Sequence, residues 1–315
     1  MFRFPRRSAG QPPRAYLIAL SLLLAGVAVG AARAETLQAE VAVQSTPAFT
    51  SSRLSVEVMG TGPDVILIPG FASSREVWRP TAERLAATHR VHLVQLAGFA
   101  GEPWSHGDGP LLQPALDELA RYVRESGLER PAVIGHSMGG LSALMLAQQN
   151  PDLIGRVMSV DSLPFFSALY GPAATPETAR PFADQAAQMM LTSSPEQFRA
   201  GQSQGAVGLS RTPETQAAMV EWSVASDRQA LAIAIREVMT TDVRPQLATM
   251  STPVWAVYAA DAEGGAPPAV AEAMWSREYA DLPGVRLIRV DGSRHFIMAD
   301  QPERFAEIVD AFLAE

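Results

Sequence analysis

The chain has 315 residues, 47% hydrophobic and 18% charged, which is enough to bury the core of one large domain and unlike a disordered polymer. Its formal charge is −8, and five of its 25 basic residues fall in the first 34 positions, which hold no acid; the remainder sets 20 basic residues against 33 acidic ones and makes a poor partner for nucleic-acid phosphates. Cysteine is absent and every basic residue is Arg, so thiolate nucleophiles, disulfide scaffolds, Cys-bound metal, Schiff-base lysines and P-loop lysines are excluded, and covalent chemistry is left to Ser, Thr, Asp, Glu, His or Tyr.

Arg3, Arg6, Arg7 and Arg14 precede an apolar run from Ala15 to Ala32, which ends in Ala32-Arg33-Ala34 before Glu35. A basic start, an apolar middle and an A-x-A end describe a secretory signal peptide over residues 1–34, cleaved after Ala34. The product is then periplasmic or secreted, with no stable membrane anchor. An uncleaved anchor is the alternative, although the run is at the short edge for a spanning helix and is diluted by Gly26 and Gly30.

Residues 40–44 and the stretch from Arg53 to Met59 alternate apolar and polar, which predicts two antiparallel strands. Short apolar runs follow at Asp64–Pro69, Arg90–Leu96, Pro131–Gly135, Arg156–Val160, Pro253–Ala259 and Val285–Val290. Their near-continuous Val, Ile and Leu suit strands covered on both faces, hence a parallel sheet. Helical spacing lies between them, at Trp78, Leu85 and Ala86, at Leu116 to Val123, at Leu141 to Ala147, and at Phe305 to Phe312 after Pro302. From about Leu163 to Met250 there is no strand pattern, only Ala-, Gln-, Met- and Pro-rich sequence with helical stretches such as Gln229–Thr240. Residues 164–250 therefore read as a helical cap inserted into a core made of residues 35–163 and 251–315.

Val133-Ile134-Gly135-His136-Ser137-Met138-Gly139-Gly140 reads as strand, tight turn, helix. A nucleophile on such a strained turn needs small residues two before and two after it. The turn lifts the Ser137 hydroxyl above the sheet edge, and the following helix start supplies N–H donors for an oxyanion. Five His are available as the base. His89 and His92 belong with a strand, His106 lies in a Gly-rich loop, and His136 points away from its neighbour at a sharp turn. His295 remains, in a loop beyond the last strand, where parallel sheets gather functional groups. The carboxylate that orients it is read as Asp261, directly after the strand Pro253–Ala259, with Asp161 and Glu263 as rivals. The oxyanion donors are expected to be the N–H groups of Met138 and Phe71. Phe71, Trp78, Met138, Phe165 and Trp222 are expected to wall the substrate pocket, with Phe166, Met189, Met190 and Met219 as further cap candidates.

These residues resemble the α/β-hydrolase superfamily, in its serine esterase and lipase-like branch, from Asp64 to the C-terminus. The resemblance rests on Ile68-Pro69-Gly70-Phe71, on Gly135-His136-Ser137-Met138-Gly139-Gly140, and on Ser293-Arg294-His295-Phe296 before Asp300-Gln301-Pro302-Glu303-Arg304-Phe305. It implies an α/β fold with an eight-stranded, mostly parallel sheet, a cap after the sixth strand, and neither cofactor nor metal. Two departures stand out: Pro69 occupies a position where the family often has His, and the segment around Asp261 lacks the usual Gly. The activity expected is that of an exported serine hydrolase acting on an apolar carboxylic ester through an acyl-enzyme. The alternatives are a cofactor-free perhydrolase or haloperoxidase-like reaction, carbon–carbon bond hydrolysis on the same triad, or a non-catalytic binding protein of this fold.

Overall fold

The computed structural model describes residues 49–315, so the expected signal peptide and the expected strand at 40–44 lie outside the described residues. Seven strands form one sheet within that range: β1 (Leu54–Met59), β2 (Asp64–Ile68), β3 (Arg90–Leu96), β4 (Ala132–His136), β5 (Arg156–Val160), β6 (Val254–Ala260) and β7 (Arg286–Asp291). Their order across the sheet is β1-β3-β2-β4-β5-β6-β7. β1 runs antiparallel to β3, with Leu54 opposite Leu96, and every other pairing is parallel. The sheet implied as eight-stranded is thus seven-stranded among the described residues.

The unbroken apolar runs have a simple cause. Side chains alternate across a strand, so a sheet covered on both faces needs apolar residues at every position. Ile66 and Ile68 of β2 join one core, and Val65 and Leu67 join the other. Along β6, Val254, Ala256 and Tyr258 face the first core, while Trp255, Val257 and Ala259 face the second. The first core is closed by α2 (Leu112–Glu125), α3 (Met138–Gln149) and α8 (Pro268–Glu278). The second is closed by α1 (Arg79–Leu85), the short α9 (Ile297–Asp300) and α10 (Pro302–Leu313). Pro302 opens α10 at its first turn, where a missing N–H costs nothing.

Between β5 and β6 the chain forms four helices, α4 (Pro176–Thr192), α5 (Pro195–Leu209), α6 (Pro213–Ala225) and α7 (Arg228–Thr240). A 3-10 turn precedes them at Phe166–Tyr170 and another follows at Arg244–Thr249. Thr175-Pro176-Glu177, Ser194-Pro195-Glu196 and Thr212-Pro213-Glu214 set the starts of α4, α5 and α6, with Pro inside the first turn and the acid at its positive end. α7 is the anchor of this region: Ala230, Leu231, Ile233, Ala234 and Val238 enter the main core. α4 lies along α7 through Ala183 and Ala186 against Met239, small residues that let the helices approach closely. The pair α5 and α6 is held more thinly. α5 buries only Phe198 and Ala206, and α6 only Met219, Val220 and Ser223.

Candidate active site

β4 ends at His136 and α3 begins at Met138, so Ser137 must turn the chain in a single residue. It does so at φ 54°, ψ −123°, a region that costs a non-glycine residue of the order of 1–3 kcal/mol. The glycines around it are required by contact. A Cβ on Gly135 would lie 2.1 Å from the Gly139 carbonyl oxygen, and one on Gly139 would lie 2.3 Å from the Ile68 carbonyl oxygen. The turn is pinned by Ser137 N–H donating to the Val160 carbonyl at 2.9 Å, and by the Ser137 carbonyl accepting from Gly140 N–H at 2.8 Å.

His295 follows β7 and lines the same cavity as Ser137. Its Nδ1 donates to Asp161 Oδ2 at 2.7 Å. A carboxylate only accepts, so Nδ1 carries a proton, and in the neutral ring Nε2 is the nitrogen with the lone pair. Asp161 directly follows β5 at φ 43°, and its other oxygen accepts from Ala259 N–H at 2.9 Å. Both oxygens are therefore fixed, one by the end of β6 and one by the imidazole.

Asp261, the expected acid, is elsewhere. Its Oδ1 accepts from Arg211 Nη1 at 3.0 Å and from Glu263 N–H at 3.0 Å, and its Oδ2 accepts from Arg294 Nε at 3.0 Å. Burial by itself would raise its pKa, yet the Glu263 N–H and the two guanidiniums outweigh that and hold it below the usual carboxylate range. The hydrogen bond that His295 makes to a carboxylate goes to Asp161, and the oxygens of Asp261 are turned to Arg211, Glu263 and Arg294 instead. Glu263, the other rival, pairs with Arg211 at the surface.

His136 braces His295. Its Nε2 donates to the His295 carbonyl at 2.9 Å, and the two rings lie 4.5 Å apart. Burial first, and then the neighbouring His295 ring, hold its pKa well below the usual His range, so it is neutral. The remaining histidines serve elsewhere: His92 bonds Asp64 and Tyr122 in the sheet, and His106 bonds the Ser52 carbonyl.

The residues of the two expected oxyanion donors lie beside the serine, Met138 next in the chain and Phe71 on the same cavity. Met138 N–H opens α3, where no intrahelical acceptor exists. Phe71 sits in the loop after β2, whose carbonyls are turned away: Ser73 N–H bonds the Gly70 carbonyl at 3.3 Å and Ser73 Oγ bonds the Phe71 carbonyl at 3.2 Å.

The cavity above Ser137 measures about 140 Å³. Phe71, Leu209, Met219 and Phe296 supply its apolar wall, and Ser73, Gln202 and Ser223 its polar points. No Arg, Asp or Glu among the described residues lines it. Of the expected wall residues, Phe71 is in place and four are not. Trp78 is fully buried between Phe305 and His136, and the Met138 side chain belongs to the core. Phe165 packs on Ala168 and Ala179 beneath Arg244, and Trp222 lies against the second core. Of the further cap candidates Met219 lines the cavity and Phe166, Met189 and Met190 do not, and the cap adds Gln202 of α5, Leu209 at its end and Ser223 of α6. Among the described residues, no group of three or more His, Asp or Glu is spaced to hold a metal ion.

Comparison with known proteins agrees with this architecture. A family model described as "Alpha/beta hydrolase family" matches residues 65–308. The pimeloyl-[acyl-carrier protein] methyl ester esterase of Aeromonas hydrophila is 28% identical over 264 residues, 82% of this chain and 99% of that one. The protein of the same name from Vibrio atlanticus is 27% identical over 66% of this chain and 80% of its own length. Among solved structures, an esterase from Thermogutta terrifontis superposes with a TM-score of 0.69 at 23% identity, covering 83% of this chain and 93% of that one. An enol-lactonase from Burkholderia xenovorans gives 0.68 at 19% identity, covering 83% and 96%. The chain belongs to the alpha/beta hydrolase family and is a carboxylesterase-type serine hydrolase built on its fold.

Proposed function

We propose that this chain is an exported esterase for a small, uncharged carboxylic ester, with Ser137 as nucleophile, His295 as base and Asp161 as the group that orients the base. The observation that carries this reading is the 2.7 Å bond from His295 Nδ1 to Asp161, made beside a serine held at positive φ in the same cavity. Ser137 Oγ attacks the ester carbonyl as its proton passes to His295 Nε2. The negative charge that develops on the carbonyl oxygen falls to the N–H groups of Met138 and Phe71. The tetrahedral adduct collapses, the alkoxide leaves with the proton from Nε2, and an acyl-serine remains. Water then attacks the acyl carbon, gives its proton to His295, and the acid is released as Ser137 recovers its own.

Cavity size and polarity support the substrate class. About 140 Å³ is well below the roughly 300–1,000 Å³ of pockets for drug-sized ligands, so one side of the ester must be short. The relatives are named for a methyl ester, which carries the smallest alcohol an ester can have. Walls free of charged residues leave an ionised substrate unpaired, whereas Gln202 and Ser223 can bond a neutral polar group.

Turnover of p-nitrophenyl esters of rising acyl length tests the reading, with wild type expected to favour the short members and Ser137→Ala to lose both turnover and fluorophosphonate labelling. Activity that persists in Ser137→Ala removes the nucleophile. Export rests on the basic, apolar and A-x-A pattern of residues 1–34. Mass spectrometry of the protein made in a bacterial host should find Glu35 first, and a retained Met1 defeats that part.

A further inference from the structure

The cap is joined to the rest of the molecule in two physically different ways. α7 is held by apolar burial in the main core. The α5–α6 pair buries few residues, and its inner end is fastened by polar bonds to the loop that carries His295. Phe296 N–H donates to the Leu209 carbonyl at 3.1 Å, and Arg294 Nη1 donates to the Val207 carbonyl. Asp300 spans the junction: Oδ1 accepts from Ser210 Oγ at 2.7 Å and Arg211 N–H at 2.8 Å, and Oδ2 accepts from Arg294 N–H at 2.8 Å. Asp261 spans it again, with Arg211 from the cap on one oxygen and Arg294, next to His295, on the other. The Asp261 side chain is only 2% exposed, while Arg211 is 38% exposed.

We propose that Asp261 is a positioning residue, a buried carboxylate that clamps the cap loop at Arg211 to the base-bearing loop at Arg294 and so sets the pocket wall and His295 as one unit. Two of the residues this clamp registers, Leu209 and Phe296, line the cavity and share a backbone bond. Losing the clamp loosens the segment from Val207 to Thr212, where Val207 is exposed and Leu209 only half-buried. The pocket wall then retreats from the substrate, while the bond from His295 to Asp161, which does not pass through Asp261, remains. The signature is therefore weaker binding with chemistry largely kept. This inference rests on the esterase reading for its kinetics but has a readout that does not need turnover.

The test uses the full-length exported protein with Asp261→Asn, Arg211→Gln, and the pair together. Arg211→Gln removes the partly exposed partner and spares the buried acid, so it remains informative if Asp261→Asn folds poorly. Each single variant should raise KM for p-nitrophenyl butyrate about fivefold to tenfold, with kcat lowered less than about threefold, as befits loss of a charge-assisted bond remote from the reacting atoms. The double variant should be no worse than the worse single, because both cut the same link. Hydrogen exchange of the peptide holding Val207 to Thr212 should speed up in both single variants, and in an inactive Ser137→Ala background as well. A fall in kcat of about 10⁴ in Asp261→Asn, with KM and exchange unchanged in Arg211→Gln, would overturn the proposal and make Asp261 the orienting acid. Additive effects of the two changes would overturn it too. A wild-type protein that neither turns over esters nor labels at Ser137 defeats the esterase reading, and the exchange result then still decides the clamp.

Discussion

Replacing Asp161 by Asn isolates what a carboxylate does for His295. Asp161 now accepts from two donors, Ala259 N–H at 2.9 Å and His295 Nδ1 at 2.7 Å. An amide of the same shape has one accepting end and one donating end. The Ala259 N–H is fixed at the end of β6, so the amide oxygen stays with it and the NH₂ group turns to the imidazole. An NH₂ group needs a lone pair, which forces the ring proton from Nδ1 to Nε2. Nε2 then carries the proton and cannot take one from the Ser137 hydroxyl. The imidazolium formed during turnover also loses its counter-charge. A triad carboxylate-to-amide change of this kind costs about 10⁴ in kcat, which is about 5.4 kcal/mol of barrier. KM should stay within about threefold, because Asp161 does not line the cavity. Steady-state hydrolysis of p-nitrophenyl acetate measures both constants, and an unchanged urea midpoint shows that the fold is intact. An Asp161→Asn protein that keeps more than about a tenth of wild-type kcat refutes the tautomer argument.

Ser137→Gly should abolish turnover yet stabilise the protein, since glycine accepts the φ of 54° freely; a gain of about 1 kcal/mol, seen as a Tm rise of about 2–4 °C, is expected, and a fall in Tm would mean the serine side chain contributes more than the strain costs. Gly135→Ala should lower stability by about 1–3 kcal/mol and destroy activity, because the added methyl meets the Gly139 carbonyl oxygen at 2.1 Å; a variant with wild-type Tm and rate contradicts the contact. Stability should fall with acid below about pH 6.5: buried His136 and His92 both have depressed pKa values, so the unfolded chain binds protons that the folded chain does not, at up to about 1.4 kcal/mol per pH unit for each. His136→Gln should flatten that slope between pH 7.5 and 5.5 in urea titrations, and an unaltered slope assigns the effect to other groups.

The sheet was legible because burial on both faces writes itself into sequence as unbroken apolar runs, and all six parallel strands fall where those runs do. The elbow was legible for a different reason: Gly135 and Gly139 are dictated by backbone oxygens about 2 Å from any added methyl. The pairing partner of His295 was not legible. Asp161 and Asp261 each follow a strand at the same edge of the sheet, and β6 is nearer to β7 in the strand order, which favours Asp261 on topology alone. What decides is the arginine pattern. Arg294 stands beside His295 and Arg211 arrives from the cap, and together they occupy the nearer acid. Only the folded cap brings Arg211 there, so no local pattern around Asp261 carried the answer. Of the pocket wall, Phe71 and Met219 were legible and the rest was not, because the largest side chains are the ones that cores bury. Trp78 and Phe165 are large enough to be drawn into cores, leaving Gln202, Leu209 and Ser223 at the cavity. The repeated Ser/Thr-Pro-Glu starts were the available signal, because they place α5 and α6 and hence the faces those residues occupy.

The strain at Ser137 and the polar wiring around it are two halves of one arrangement. A serine at positive φ persists only if its surroundings over-determine it, and α3 is buried along nearly its whole length, from Met138 to Ala147. That burial makes the nucleophile's position a property of the core, insensitive to the cap. His295 has no such support. It lies on a loop, its ring is held by Asp161, and its backbone is held by the His136 bond to its carbonyl and by flanking bonds from Arg294 to the Val207 carbonyl and from Phe296 to the Leu209 carbonyl in the cap. His295 is therefore the member of the pair whose place depends on the cap, and a change in the cap reaches it through the loop from Ser293 to Asp300 before it reaches Ser137. Substitutions in α5 and α6 should accordingly alter which ester is accepted long before they alter the reactivity of Ser137 toward a small phosphonate, which needs the serine and its N–H donors but little of the pocket wall.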